Sequence, residues 1–345
     1  MPSIMVILLF LVAAIASYGL TIAVRWVVLW QGVMDEPNPR SSHTRPTPRG
    51  GGLAIAIVFA TALSIGWACL GVISSALAKA ALVGSLLVAA VGYVDDRSDL
   101  SATVRLSVHV VAVILAFSVT GGLSYSHGGP APLAVQFMAG LACLWFLNLF
   151  NFMDGIDGIA ATEAVFVSMA AATLLSRLDA PPELLYSWIA LSGASFGFLF
   201  HNWPPARIFM GDTGSGFLGF VIAILLVAST QVPGFSLWVA IILVSAFGAD
   251  ATVTLVRRML RGDEWLRPHR SHAYQRLSRR WGRHLPVTLL YGAVNLVIIL
   301  PCAAAAIAVP EYAPIVATIV FGALAWVAWR VGAGLPDQPT TSDSA

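Results

Sequence analysis

Eleven apolar runs, each about as long as a bilayer is thick, dominate the sequence and decide what it can fold into. They cover 3–30, 52–72, 75–94, 103–121, 133–151, 158–177, 184–201, 214–230, 235–256, 286–308 and 312–330. A helix crosses the hydrocarbon core in about 20 residues, and a water-soluble globule has no interior large enough for so many such segments. Only 10% of the 345 residues are charged and 58% are apolar, where soluble domains carry about 25% charge. A soluble protein, a disordered chain and a collagen-like fibre are excluded. The runs are too long, and alternate too little, for barrel strands. The expected fold is therefore all-α: a polytopic integral membrane protein of about 11 transmembrane helices. Very short links, such as 73–74 and 152–157, make neighbouring helices antiparallel. Residues 1–331 are expected to form one domain, and 332–345 a disordered polar tail on the cytoplasmic side.

Cys69, Cys143 and Cys302 each stand inside an apolar run without paired spacing, which argues against a disulfide framework or a zinc site. Residues 1–24 have no basic segment, and Arg25 follows the first run rather than preceding it. The first run thus reads as an uncleaved helix.

Basic residues fix the expected orientation. Loops after odd-numbered runs hold Arg40, Arg45 and Arg49; Arg97 and Arg105; Arg207; and nine arginines between Arg257 and Arg283. With Arg25 and Arg330 at run ends, seventeen of the nineteen basic residues fall on one side, leaving Lys79 and Arg177 for the other. The richer side is expected to be cytoplasmic and the N-terminus to face out. A net charge of +2 averages over these two unlike faces.

The same loops collect the polar clusters: DEPNPRSSHTRPTPRGGG (35–52), DDRSDLS (95–101), NLFNFMDGIDG (148–158), HNWPPARIFMGDTGSG (201–216) and PHRSHAYQRLSRRWGRH (268–284). Their convergence on one face predicts a single site built from loops at helix ends. Asp95 and Asp96 are adjacent and Asp99 follows. Neighbouring carboxylates repel unless a cation joins them, and Mg²⁺ favours one or two carboxylates plus phosphates; a solvated helix end is the plainer reading. Asp154 and Asp157 share one side of a turn flanked by Gly155 and Gly158, suiting either a ligand or a helix break. Asp212 opens the eighth run, where it can cap the helix or bind a metal.

Pro46 to Gly52 places Arg49 and exposed backbone amides at a helix start, a ready anion site. No Walker-type loop occurs, which argues against an ATPase. His269 and His272 flank Arg270 ahead of an amphipathic stretch. On a helical wheel Ala273, Tyr274, Leu277 and Trp281 share one arc, and Arg276, Arg279, Arg280 and Arg283 share the other with His272. That pattern predicts an interfacial helix on an anionic leaflet, with the histidines as phosphate donors rather than metal ligands. Asp250 and Glu163 fall within runs, where acids are costly; each can be functional or a structural hydrogen-bond partner. His109 reads as a packed histidine.

In order along the chain, HTRPTPRGGG (43–52), DDRSDL (95–100), NFMDGIDG (151–158), NWPPARIFMGDTGS (202–215) and HRSHAYQ (269–275) resemble the bacterial polyprenyl-phosphate N-acetylhexosamine-1-phosphate transferases. This is glycosyltransferase family 4, which includes the phospho-N-acetylmuramoyl-pentapeptide transferase. The resemblance implies a Mg²⁺-dependent reaction, with Mn²⁺ as an alternative ion. Undecaprenyl phosphate would attack the β-phosphorus of a UDP-N-acetylhexosamine, release UMP and form a lipid-diphosphate-sugar. Ser271 interrupts the triple histidine of the peptidoglycan enzyme, so the last loop looks more like members that initiate O-antigen or other surface glycans.

By the same resemblance, Asp212 is the main metal ligand and the catalytic set is Asp95, Asp96 and Asp212, with Asp95 and Asp96 also ligating on the acceptor side. Asn151, Asp154, Asp157 and Asn202 hold the nucleotide. His269, Arg270 and His272 hold the diphosphate or the sugar phosphate, assisted by Arg45 and Arg49 on the first loop. The partners implied are the UDP-sugar, the lipid phosphate and the bilayer, with a homodimer left open and no nucleic acid. An intramembrane Mg²⁺-dependent prenyltransferase is the enzymatic rival, because D-D-x-x-D also suits diphosphate there. A transporter is the non-enzymatic rival, though it would place charges at mid-membrane.

Overall fold

A computed structural model describes residues 3–37, 45–120, 124–125, 129–263 and 269–336. Arg40, His43 and Arg267 of the loops above lie outside the described residues, as does the tail from 337 onward. Each of the eleven apolar runs is helical. The first eight are α1 (Ser3–Gln31), α2 (Gly52–Ala68), α3 (Ser75–Ser98), α4 (Ala102–Thr120), α5 (Leu133–Phe152), α6 (Ile159–Ser176), α7 (Pro182–Asn202) and α8 (Gly211–Ser229). The ninth is divided into α9 (Leu237–Leu243) and α10 (Ser245–Leu260), and α11 (Ala273–Trp281) lies in the loop after it. The tenth comprises α12 (Leu285–Val294), a π-helical turn over Asn295–Ile299 and α13 (Leu300–Ala308); the eleventh is α14 (Ala313–Val331). Among the described residues, nine helices are singly long and apolar enough to cross a membrane, and the bent ninth makes a tenth. The helix α2 is shorter, at 17 residues.

Two departures from straight helices have local causes. The arms α9 and α10 meet at 79°, with Val244 out of helical conformation between them. The hydroxyl of Ser245 donates to the carbonyls of Ile241 and Ile242, each at 2.8 Å, so the break exposes fewer bare carbonyls to hydrocarbon. In the tenth run Pro301 has no amide to donate and its ring crowds the preceding turn; the π-helical turn lies directly before it, closed by the Leu300 amide on the Asn295 carbonyl.

The helices α6, α7 and α8 form the interior, with Trp188, Phe198, Phe217 and Phe220 fully buried. Outer helices present Ile4, Leu133, Val297 and Ile319, as expected where the neighbour is lipid. The ends of several spans are tied together on one face. The Arg25 guanidinium donates to the Arg207 carbonyl, Arg97 to Gln31, and Arg257 to the Trp329 carbonyl. Loops after odd-numbered spans therefore do share a side.

Two expectations are corrected. Residues 332–336 do not begin a disordered tail: Ala333 is fully buried, and the Gly334 amide donates to the Ser271 carbonyl at 2.8 Å. Nor does α11 lie on the leaflet through its tyrosine. Its buried residues are Ala273, Tyr274, Gln275 and Ser278, and the Tyr274 hydroxyl donates to the Phe152 carbonyl at 2.9 Å. His272, expected on the arginine arc, is only 3% exposed and stacks between His269 and Tyr274. An apolar arc containing a tyrosine fits a protein groove as well as a lipid surface, and here a backbone carbonyl supplies the polar partner.

Candidate active site

The site is organised around the first turn of α8. Gly211 there has a left-handed backbone (φ +74°), and a Cβ on it would stand 2.6 Å from an Asp96 carboxylate oxygen; glycine alone allows the approach. Asp96 reaches across from α3 and accepts from the amides of Asp212 (2.8 Å) and Thr213 (3.1 Å), from the Thr213 hydroxyl (2.6 Å) and from Arg49 Nε (2.8 Å). Its side chain is fully buried. The Asp96 oxygens are thus spent on capping α8, whereas Asp212 itself faces the cavity.

Loop 45–52 is fastened alongside. The strands β1 (Met34–Asp35) and β2 (Thr47–Pro48) pair antiparallel, and the Phe209 amide donates to the Pro48 carbonyl at 2.8 Å. The amides of Gly51 and Gly52 donate to the Phe209 and Met210 carbonyls, both at 2.9 Å. Arg49 is thereby aimed at Asp212 Oδ1, 3.2 Å away. Burial alone would lower its pKa, but Asp212 and Asp96 reverse that and hold the guanidinium above its usual value. Arg45 of the same loop is exposed and stands outside the cavity lining.

Arg105, near the start of α4, bridges Asp95 Oδ2 and Asp212 Oδ2, the latter at 3.0 Å. The other Asp95 oxygen accepts the Leu100 amide at 2.6 Å. Asp212 therefore sits between two guanidiniums.

Beside it lies a cavity of about 240 Å³ lined by Arg49, Asn151, Asp154, Asp157, Asn202, Asp212 and others. Burial, reinforced by the charges of Asp212 and Asp96, pushes the Asp154 carboxyl well above the usual carboxylate range. Asp157 is more engaged: one oxygen accepts the Ala206 amide at 3.0 Å and the other faces His284 Nδ1 at 3.1 Å. Asn202 is spent on backbone, accepting from the Gly158 amide and donating to the Ile208 carbonyl, both at 3.0 Å. These two residues tie loop 148–158 to loop 201–216 as well as lining the cavity. Among the described residues no three ligating side chains converge as a ready-made ion cage.

The last loop is divided. Gln275 reaches the cavity of Asp212, whereas His269 and Arg270 line a separate space of about 170 Å³ with Arg258, Asp263 and residues 334–336. Burial, with His272 and Arg258 nearby, pushes the His269 imidazole down to about 3. Asp250 organises this loop, accepting the amides of Ala273 (2.8 Å) and Tyr274 (3.0 Å) at the start of α11. It reads as a structural cap rather than a reacting acid.

The sequence reading did not place Asp35, Arg105, Gln275 or His284 at the site. Arg105 was visible only as a charge in the first turn of an apolar helix, ten residues beyond Asp95, which the count of basic residues absorbed.

The described residues thus form an all-helical protein with spans long enough to cross a membrane and a carboxylate-rich, arginine-flanked cavity at their ends. The glycosyl transferase family 4 profile matches residues 78–230, spanning Asp95 to Asp212. A probable undecaprenyl-phosphate N-acetylglucosaminyl 1-phosphate transferase of Bacillus subtilis (strain 168) is 30% identical over 79% of this chain and 77% of its own length. A decaprenyl-phosphate N-acetylglucosaminephosphotransferase of Mycolicibacterium smegmatis is 30% identical over 81% and 77%. The undecaprenyl-phosphate alpha-N-acetylglucosaminyl 1-phosphate transferase of Escherichia coli (strain K12) is 26% identical over 72% and 70%. The chain belongs to glycosyl transferase family 4, the polyprenyl-phosphate N-acetylhexosamine-1-phosphate transferases, and is a multi-pass bacterial membrane protein.

Proposed function

We propose that the protein transfers N-acetylhexosamine-1-phosphate from a UDP-N-acetylhexosamine to undecaprenyl phosphate on the cytoplasmic face, releasing UMP and starting a surface glycan. The observation that carries this reading is Asp212, held between Arg49 and Arg105 and lining one cavity with further acids. The excess of basic residues on that face supports its cytoplasmic placement. The names of the relatives favour N-acetylglucosamine as the sugar.

The donor set suits Mg²⁺: hard carboxylate oxygens of Asp212 and Asp154 beside one cavity, with substrate phosphates to complete the shell. When bound, the ion neutralises diphosphate charge and orients it. A lipid phosphate oxygen forms the new bond to the donor β-phosphorus, and the bond from that phosphorus to the bridging oxygen breaks, its electron pair leaving on UMP. A phosphate monoester has a second pKa of about 6, so the nucleophile is ionised without help. Asp95, with Arg105 and the Leu100 amide on its oxygens, then serves to orient Arg105 toward the phosphates rather than to remove a proton. Arg49 steadies the donor diphosphate. Because one phosphoanhydride replaces another, the step is reversible and needs no ATP.

The test is isotope exchange. Labelled UMP is expected to enter UDP-N-acetylhexosamine when purified protein, lipid product and Mg²⁺ are present; absence of exchange with every N-acetylhexosamine donor would refute the reading.

A further inference from the structure

Apart from one stripe, α12 and the turn after it are apolar. The polar side chains His284, Thr288, Tyr291 and Asn295 recur at intervals of four, three and four, which keeps them on one face of a helix. The opposite side shows Leu289, Leu290, Leu296 and Val297 to lipid. Every member of the stripe ends on an acidic residue. His284 Nδ1 lies 3.1 Å from Asp157 Oδ1, and the Thr288 hydroxyl donates to the Asp157 carbonyl at 2.8 Å. The Tyr291 hydroxyl donates to Asp250 Oδ2 at 2.7 Å, and Asn295 Nδ2 to Glu163 Oε2 at 2.6 Å. The last rung, Asn295, is also the first residue of the π-helical turn.

These acids lead in different directions. Asp157 belongs to the loop that carries Asp154, while Asp250 caps α11 and so sets Gln275. Asp154 and Gln275 come from loops more than a hundred residues apart, yet both line the cavity of Asp212. Packing alone would be served as well by an apolar stripe, since polar groups lose hydration when buried. Four polar rungs in sequence instead fix the rotation and the height of α12 against both loops at once.

We propose that this ladder is the positioning element of the donor-binding cavity, holding the Asp154–Asp157 loop and α11 in one register so that they grip the nucleotide sugar together. The assignment of the cavity to the donor rests on the function proposed above. None of the four residues is required to touch the reacting phosphorus.

Thr288→Val removes one hydroxyl at nearly constant volume, and Thr288→Ser restores it. With the activity established for the wild type, Thr288→Val is expected to raise KM for the UDP-sugar about tenfold, the scale of one lost buried hydrogen bond. KM for the lipid phosphate should hold, the thermal midpoint in detergent should fall by no more than about a few degrees, and Thr288→Ser should recover the wild-type KM. An unchanged donor KM, or equal changes in both KM values, would overturn the ladder. Amide hydrogen exchange of the ligand-free protein provides a measurement independent of substrate. Thr288→Val and Asn295→Leu are each expected to speed exchange in both 154–158 and 272–276; changes confined to 285–299 would overturn the proposal. A wild-type protein inactive on every UDP-sugar would refute the function, and exchange would still decide the ladder.

Discussion

Asp96 on α3 caps α8 by accepting the amides of Asp212 and Thr213 at 2.8 and 3.1 Å. The carboxylate next to it in sequence, Asp95, instead meets Arg105. Two adjacent acids thus do different work, because successive side chains on a helix point about 100° apart. Asp96→Asn turns one of the two oxygens that share four hydrogen bonds into a donor, so a buried amide or guanidinium donor faces another donor. Replacing Asp212 instead removes one of several crowded negative charges. Asp96→Asn should lower stability by about 2–3 kcal/mol and activity with it. Asp212→Asn should abolish turnover while the protein still accumulates in the membrane with an unchanged or higher thermal midpoint. Parallel melting and turnover measurements on the two variants decide the matter, and equal melting losses would contradict this division.

Arg49 uses Nε on Asp96 and Nη2 on Asp212, a fork that an ammonium cannot reproduce. Arg49→Lys keeps the charge and loses the geometry. Turnover is expected to fall at least about tenfold, with thermal stability less affected than in Asp96→Asn. Kinetics at saturating donor would check it; activity within twofold of wild type would show that charge alone suffices.

The spans and the convergence of five loops on one face were legible from apolar length and from where the arginines fall. What the sequence left out was direction. The bend at Val244 lies inside an unbroken apolar run. The 4-3-4 spacing from His284 to Asn295 has meaning only once Asp157, Asp250 and Glu163 are placed opposite it. Likewise His269 and His272 share a motif, but α11 turns the first toward one cavity and buries the second against Tyr274. A motif reports which residues gather, and tertiary packing decides which of them face the ligand.

His269 makes one contribution to the pH dependence of stability. Its folded pKa is pushed down to about 3, below the unfolded value of about 6.5. The unfolded chain therefore takes up the proton first. The stabilisation from a neutral His269 is complete above about pH 6.5 and drains away as pH falls toward the folded value. Thermal midpoints should decline from pH 6.5 to 4.5 more steeply in the wild type than in His269→Gln. The rate profile between pH 5 and 8 should contain no step due to His269, whose imidazole stays neutral throughout that range. Identical acid slopes in the two proteins would contradict it.

The segment after α14 closes over the last loop. Arg276 donates to the carbonyls of Val331 (3.3 Å) and Leu335 (3.2 Å), Arg257 donates to that of Ala333 (3.2 Å), and the Gly334 amide holds the Ser271 carbonyl. Arginines that counted in the sequence as an orientation signal thus anchor five residues next to His269 and Arg270. Ending the chain after Val331 should free Ser271 and lower turnover several-fold, while ending it after Pro336 should leave turnover as it was. If both truncations behave like the full chain, residues 332–336 contribute nothing to the loop; if only the shorter protein loses activity, the strap is part of the structure that holds residues 269–275 in place.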